Sequence, residues 1–410
     1  DGYEIDPRFG TNDLYKSLVD SLHARDMKIV MDVVYNHWGD QHWLILDPPD
    51  SSWVNHWPSF TKTNYRSTTH MDPYASEWDK RIMTDGWFDG HMPDLNQRSP
   101  KLARHLIQQT KWWIEEWGID ALRIDTYAYP DQHFMASLSR EMLMEWPDVF
   151  LFGETWVHGV PVQQWFTSQG VGAKEFDSEL QSVTDFQLYF AMKKGLNEPF
   201  GWTEGASKIY YALAKDWVYK DPMKLVTFVD NHDLSRFYSE IKEDPKLYHM
   251  GIALILTTRG IPCLYYGTEI RMKNFADPDG KVRPDFPGGW QGDAVDKFNH
   301  TGRTEAENET FWFIQNLANF RRQNPDVFDG KLMQFVPEDG LYVYFRYTDQ
   351  KCLMVCMNMS SKEQTVEFER YQERMLGFGE SRNIQTGKQT SLNEPFSLQP
   401  KETLILELIN

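Results

Sequence analysis

Three carboxylates in this sequence stand where short apolar runs stop. Residues 121–124 lead into Asp125, with Arg123 two positions before it. Residues 149–152 lead into Gly153 and Glu154, with Trp156 just beyond. Residues 225–229 lead into Asp230, Asn231, His232 and Asp233, and a fourth run, 28–35, stops at Asn36 and His37. One carboxylate at a strand end is better explained as a helix N-cap. Three on different strands, beside two histidines and an arginine, point to one shared site. A parallel barrel turns all its strand C-termini to one face, so the spacing predicts that these side chains converge.

The residue types narrow the chemistry. Nothing in the sequence supplies a Ser-His-Asp set or a cysteine nucleophile, and no glycine-rich phosphate loop precedes a helix. Paired carboxylates suit cleavage of a glycosidic bond, where one attacks or stabilises an oxocarbenium-like centre and the other protonates the leaving oxygen. Their environments must separate their proton affinities. Arg123 shares a strand face with Asp125, since i and i+2 point the same way. Its guanidinium keeps Asp125 ionised, which fits a nucleophile. The aromatic neighbour Trp156 favours a protonated Glu154 by desolvation, which fits a general acid.

The elements that must position these groups alternate. A helix capped at Thr11, Asn12 or Asp13 carries Leu14, Leu18 and Leu22 at helical spacing. The run 28–35 reads as a strand buried on both faces. Ser99, Pro100 and Gly118 bracket a helix with Leu102, Leu106, Trp113 and Trp117 on one face. Further strands are expected at 121–124, 149–152, 182–186, 225–229 and 261–266, with a helix at 247–256. That is six strands in a βα rhythm. Residues 38–98 break it with a stretch rich in Trp, His, Pro, Asp and Thr, too long for an ordinary βα loop. Beyond about residue 325, strands at 341–347, 351–357, 365–368 and 402–409 predict a separate antiparallel domain.

Composition agrees with a catalyst for neutral substrates. The 410 residues hold 60 acidic and 42 basic side chains, a net charge of −18. Such a chain repels phosphate backbones and anionic lipid, which argues against nucleic acid and membrane partners. No apolar stretch reaches the roughly 18 residues of a membrane-spanning helix. Aromatic residues make up 15%, and aromatic faces stack on sugar rings as well as packing in cores. Of the three cysteines, Cys263 reads as buried. Cys352 and Cys356 lie on one strand with sulfurs roughly 13 Å apart, too far for a disulfide.

Four segments closely resemble the conserved regions of the α-amylase family of glycoside hydrolases, in the family order. They are Asp32-Val-Val-Tyr-Asn-His37, Gly118-Ile-Asp-Ala-Leu-Arg-Ile-Asp125, Gly153-Glu-Thr-Trp156 and Phe228-Val-Asp-Asn-His-Asp233. Met92-Pro-Asp-Leu-Asn96 and Gly260-Ile-Pro-Cys-Leu-Tyr-Tyr-Gly-Thr-Glu269 support them. Asp40-Gln-His-Trp43 and Arg283-Pro-Asp-Phe-Pro-Gly-Gly-Trp290 resemble the neopullulanase and cyclomaltodextrinase branch, in particular the starch-utilisation neopullulanases.

The resemblance implies a (β/α)8 TIM barrel over 1–37 and 99–324, an inserted domain over 38–98 and a C-terminal antiparallel β-sandwich over 325–410. It implies a retaining hydrolase of α-1,4 and potentially α-1,6 bonds in starch-derived glucans, pullulan or cyclodextrins. Asp125 matches the nucleophile, Glu154 the acid/base and Asp233 the third carboxylate. His37, Arg123 and His232 match residues that orient the nucleophile and contact the sugar, while Trp156 and Trp290 are expected to line the site. Retention implies a carboxyl separation of about 5–5.5 Å. The competing readings are a transglycosylase of the same family and a non-catalytic glucan-binding protein on the same fold.

Asn36 and Asp94 match positions that hold a structural calcium in many members. The neopullulanase branch commonly places Lys at the position of Asp94, and this chain keeps Asp, which favours calcium; no organic cofactor is implied. The family's Lys-His pair after the nucleophile is here Ala128-Tyr129. The His ligand is a backbone carbonyl, which Tyr129 also offers, but the Lys contact with substrate is lost. The opening residues 1–10 resemble the loop after the second barrel strand. That implies two strands upstream and, in this branch, an N-terminal domain through which the protein dimerises. Taken alone, the chain is expected to show an incomplete barrel with exposed apolar strand edges. Sugar-use logic slightly favours a periplasmic or secreted location.

Overall fold

A computed structural model describes residues 2–171 and 176–410; Asp1 lies outside them. The chain forms two compact units, Asp1–Phe186 with Trp217–Lys224, and Gln187–Asp216 with Leu225–Asn410.

In the first unit, β1 (Val30–Val34), β2 (Ala121–Asp125), β3 (Phe150–Gly153) and β4 (Ser182–Val183) lie side by side in chain order, all parallel. The register sets Asp32 opposite Arg123, Val34 opposite Asp125 and Ile124 opposite Gly153. The ends carrying His37, Asp125 and Glu154 therefore emerge along one edge of the sheet. β2 is central, and its Ala121, Leu122 and Ile124 are buried.

The helix Pro100–Trp117 feeds β2. Pro100 occupies its first turn and Gly118 ends it with a left-handed φ of 68°, a conformation that costs glycine nothing. Leu102, Leu106, Trp113 and Trp117 form its buried face as expected. Ser99 stands at the N-cap but makes no side-chain cap bond; its hydroxyl meets that of Ser52 at 3.0 Å.

Two expectations fail at the start of this unit. β1 is the outermost strand of its sheet, and Val30 and Val34 are 50% and 38% exposed instead of buried. The helix Asn12–His23 starts at a Thr11 cap as expected, yet Leu14 and Leu18 are exposed and Val19 is its buried residue. Periodicity identified the helix, while the side it buries depends on which neighbours are present.

The segment 38–98 contains short elements such as Trp43–Leu46 and Glu77–Asp85 and is laced by isolated bridges. It is tied to the sheet by side chains and backbone. Leu95 donates its N–H to the Asn36 carbonyl at 2.9 Å, Gln97 donates to the Tyr35 carbonyl at 2.8 Å, and the His70 ring lies 2.9 Å from the Ala128 carbonyl.

In the second unit, β5 (Val226–Phe228) and β6 (Ile261–Cys263) are parallel neighbours, joined through the largely buried helix Pro245–Thr257. Cys263, expected to be buried, is exposed, because β6 is covered less fully than its apolar sequence suggests.

The chain then forms β7 (Lys331–Gln334), β8 (Leu341–Tyr347), β9 (Cys352–Asn358), β10 (Gln364–Val366), β11 (Glu380–Asn383), β12 (Gln389–Ser391), β13 (Phe396–Leu398) and β14 (Thr403–Ile409). Six of these make an antiparallel sheet in the order β12-β11-β14-β9-β8-β7, and β10 pairs with β13. Both faces of the large sheet are covered. Tyr342, Tyr344, Leu353 and Val355 pack with Ile252, Ile314 and Leu317 of the preceding helices. Val343, Phe345, Met354 and Cys356 pack with Val366, Tyr371 and Leu398. Double coverage explains why β8 and β9 read as continuous apolar runs. Cys352 and Cys356 are both free, as their spacing requires.

Among the described residues, no helix is long and apolar enough to cross a membrane. Truncating Leu353, 1% exposed between sheet and helices, to Ala should cost about 2–5 kcal/mol. A urea titration followed by tryptophan fluorescence measures it.

Candidate active site

The centre of the first unit's polar edge is Arg123, whose side chain is only 12% exposed. Its Nη1 donates to Oδ1 of Asp125 at 2.7 Å and to both carboxylate oxygens of Asp32 at 2.9 Å. Its Nη2 lies 3.7 Å from Oε1 of Glu154. Burial alone would lower the proton affinity of the guanidinium. The summed attraction of Asp32, Glu154 and Asp125 outweighs that and raises it, so Arg123 is a fixed cation. The other oxygen of Glu154 accepts the backbone N–H of Thr126 at 3.0 Å. Thr126 adopts a left-handed φ of 46°, a strained conformation for a β-branched residue. It turns the chain so that its N–H meets the carboxylate. Glu154 is 8% exposed, well removed from water.

His37 lies beyond β1, its ring stacked on Phe88 at a centroid distance of 5.4 Å. Burial holds its imidazole below the usual range, and the nearby Asp125 only partly offsets this. Phe88 meets the edge of Tyr129 at 5.3 Å, and Tyr65 packs against both. These rings form an aromatic wall, supplied by the insertion and by the turn after β2. Burial keeps the Tyr129 phenol protonated, reinforced by the charges of Glu154 and Asp125. Trp156 is 44% exposed and stacks on Phe186 at 5.2 Å.

The second unit assembles its own polar group after β5. His232 Nε2 is 3.2 Å from Asp233 Oδ2, and the Asp233 backbone N–H donates to Asn231 Oδ1 at 2.9 Å. Arg283 donates through Nη2 to Asp233 Oδ1 at 2.6 Å and through Nε to the His232 carbonyl at 2.8 Å. Trp290 is 72% exposed. Asp32, Phe88 and Arg283 were not singled out from the sequence. Asp32 and Arg283 sit inside segments that carried the family resemblance, but only tertiary contact reveals which carboxylate each pair serves. Phe88 had no local signal.

Asn36 and Asp94 do come together, as neighbours across the bridge that pairs His37 with Asp94. Asn36 Oδ1 is buried without a hydrogen-bond donor. Asp94 is buried, receives the Asn55 amide at 2.8 Å, and is pushed well above the usual carboxylate range by burial. An orphaned amide oxygen and a buried carboxylate, on residues at one backbone bridge, are the kind of oxygen donors a hard cation such as calcium takes.

Residues 1–325 match the family model described as "Alpha amylase, catalytic domain". The chain belongs to the α-amylase family. Residues 332–407 match the model "Cyclo-malto-dextrinase C-terminal domain", so the α-amylase catalytic domain is followed by the C-terminal sheet of the cyclomaltodextrinase branch, as the motifs implied. Among relatives, a "Maltogenic alpha-amylase" of Bacillus acidopullulyticus is 25% identical over 88% of this chain and 56% of its own length. A "Cyclomaltodextrin glucanotransferase" of Geobacillus stearothermophilus is 28% identical over 97% of this chain and 53% of its own length. The chain thus spans little more than half the length of these relatives. In fold, it resembles the α-amylase of Geobacillus thermoleovorans solved with acarbose, at a TM-score of 0.79 and 24% identity over 100% of this chain and 83% of that one. The parallel strands and the C-terminal antiparallel sheet are therefore those of an α-amylase TIM-barrel fold.

Lysine has one ammonium and cannot contact Asp32, Asp125 and Glu154 with a planar fork. Arg123→Lys should lower the kcat/KM of the activity proposed below by about 100-fold or more, because misplacing reacting groups by an ångström is that costly. Steady-state kinetics on matched, folded protein measure it.

Proposed function

We propose that this α-amylase family member is a retaining glycoside hydrolase of α-1,4-linked glucans, with cyclodextrins and pullulan among its substrates. The observation that carries this reading is the placement of Asp125 and Glu154 on one largely shielded guanidinium at the ends of adjacent parallel strands. Asp125, hydrogen-bonded to Arg123, attacks the anomeric carbon. Glu154, secluded from water, protonates the departing glycosidic oxygen. It then removes a proton from the water, or the sugar hydroxyl, that releases the glycosyl-enzyme. Asp233, held by Arg283, supplies the third carboxylate and binds sugar hydroxyls more strongly as charge develops. His37 and His232 contact the sugar, and Trp156 and Trp290 offer exposed aromatic faces to it. The names of relatives, which include a "Cyclomaltodextrinase" of a Bacillus species, support α-glucan substrates.

The full chain incubated with cyclodextrin, pullulan and soluble starch should release products of initially α configuration. Asp125→Asn and Asp233→Asn should each abolish them. Anomer-resolved chromatography is the measurement; β-configured first products would contradict retention.

Asn36 and Asp94, with the Tyr129 carbonyl, are also proposed to hold a structural calcium that fastens the insertion to the sheet. The ion would clamp the insertion without taking part in bond cleavage. Chelation should then lower Tm, and added calcium should restore it. A Tm unchanged by chelator in differential scanning calorimetry would remove the ion from the account.

A further inference from the structure

β1 brings a third carboxylate to Arg123. Asp32 faces Arg123 directly in the β1–β2 register, and both its oxygens lie 2.9 Å from Nη1. That nitrogen carries two hydrogens. One serves Asp32, and the other serves Asp125 at 2.7 Å. The guanidinium is a rigid plane, so gripping Nη1 from two neighbouring strands fixes the orientation of the whole fork. It fixes the line along which Arg123 meets Asp125, and the direction in which Nη2 points at Glu154. The two partners differ in setting. Asp32 has a side chain 53% exposed, while those of Arg123 and Asp125 are 12% and 21% exposed.

We propose that Asp32 is a positioning residue for the nucleophile, acting through Arg123: it holds the guanidinium so that Asp125 is aimed at the anomeric carbon. This rests on the assignment of Asp125 as nucleophile. Asp32 itself touches no substrate in this account, so its loss acts on the reaction step and leaves sugar binding in place.

The test compares Asp32→Asn and Asp32→Glu with the unaltered chain on two substrates, a linear maltooligosaccharide and α-maltosyl fluoride. Fluoride departs without needing a proton, so the second substrate bypasses the general acid and still requires the nucleophile. Asp32→Asn should lower kcat by about 10- to 100-fold on both substrates, with KM within about threefold of the original. Asp32→Glu, which restores the charge on a longer arm, should recover part of the loss. Glu154→Gln supplies the contrast: slow on the oligosaccharide and largely rescued on the fluoride. If Asp32→Asn slows only the oligosaccharide, Asp32 serves Glu154 and the proposal is overturned. A drop in Tm with kcat per folded molecule unchanged would make the contact a structural ion pair and overturn it equally. Should the unaltered chain turn over neither substrate, the α-glucan reading fails first and takes this inference with it.

Discussion

One largely shielded cation organises the polar edge of the first unit. Arg123 is shielded from water and faces three carboxylates on three consecutive strands. Removing a charge from water costs several kcal/mol, and that cost is offset only when partners and geometry are good. The parallel register provides both, since it sets Asp32 across from Arg123 and brings Glu154 out beside Asp125. The same arrangement leaves more negative than positive charge around one guanidinium. Glycosidic cleavage requires two carboxylates in different settings, and here Asp125 accepts a bond from the guanidinium while Glu154 accepts one from the Thr126 backbone.

The insertion takes part in this arrangement. It supplies Phe88, which stacks on His37 and packs edge-on against Tyr129. It also supplies His70, which engages the Ala128 carbonyl. The turn after β2 is thus held from two sides, by the insertion and by the bond from Thr126 to Glu154. A segment with little regular structure of its own is made specific by aromatic contacts and buried polar pairs. The bridge between His37 and Asp94 at its base belongs to the same junction.

Much of this was legible in the sequence, for identifiable reasons. Strand ends marked by Asp125, Glu154 and Asp233 are local signals, and i, i+2 spacing places Arg123 on the face of Asp125 without further information. Pro100 and Gly118 bracket their helix through backbone preferences that act locally. What failed was burial. Val30, Val34, Leu14 and Leu18 are apolar and correctly assigned to a strand and a helix, yet exposed. Cys263 sits in an apolar run and is exposed as well. Hydrophobic pattern reports what a residue could bury, and only neighbouring elements decide whether it does. The short strands β7, β11, β12 and β13 were missed because three or four residues are too few to show a period. Asp32, Phe88 and Arg283 acquire meaning only through partners tens of residues away.

The central claim is that Asp125 forms the covalent link to the sugar. Incubation with a ring-fluorinated α-glycosyl fluoride slows release of the glycosyl-enzyme enough for peptide mapping by mass spectrometry. The account predicts a single glycosylated peptide whose fragments place the sugar on Asp125, with the label lost when excess maltose is added as acceptor. A label on Glu154 or Asp32, or catalytic turnover with no labelled peptide at any stage, would contradict it.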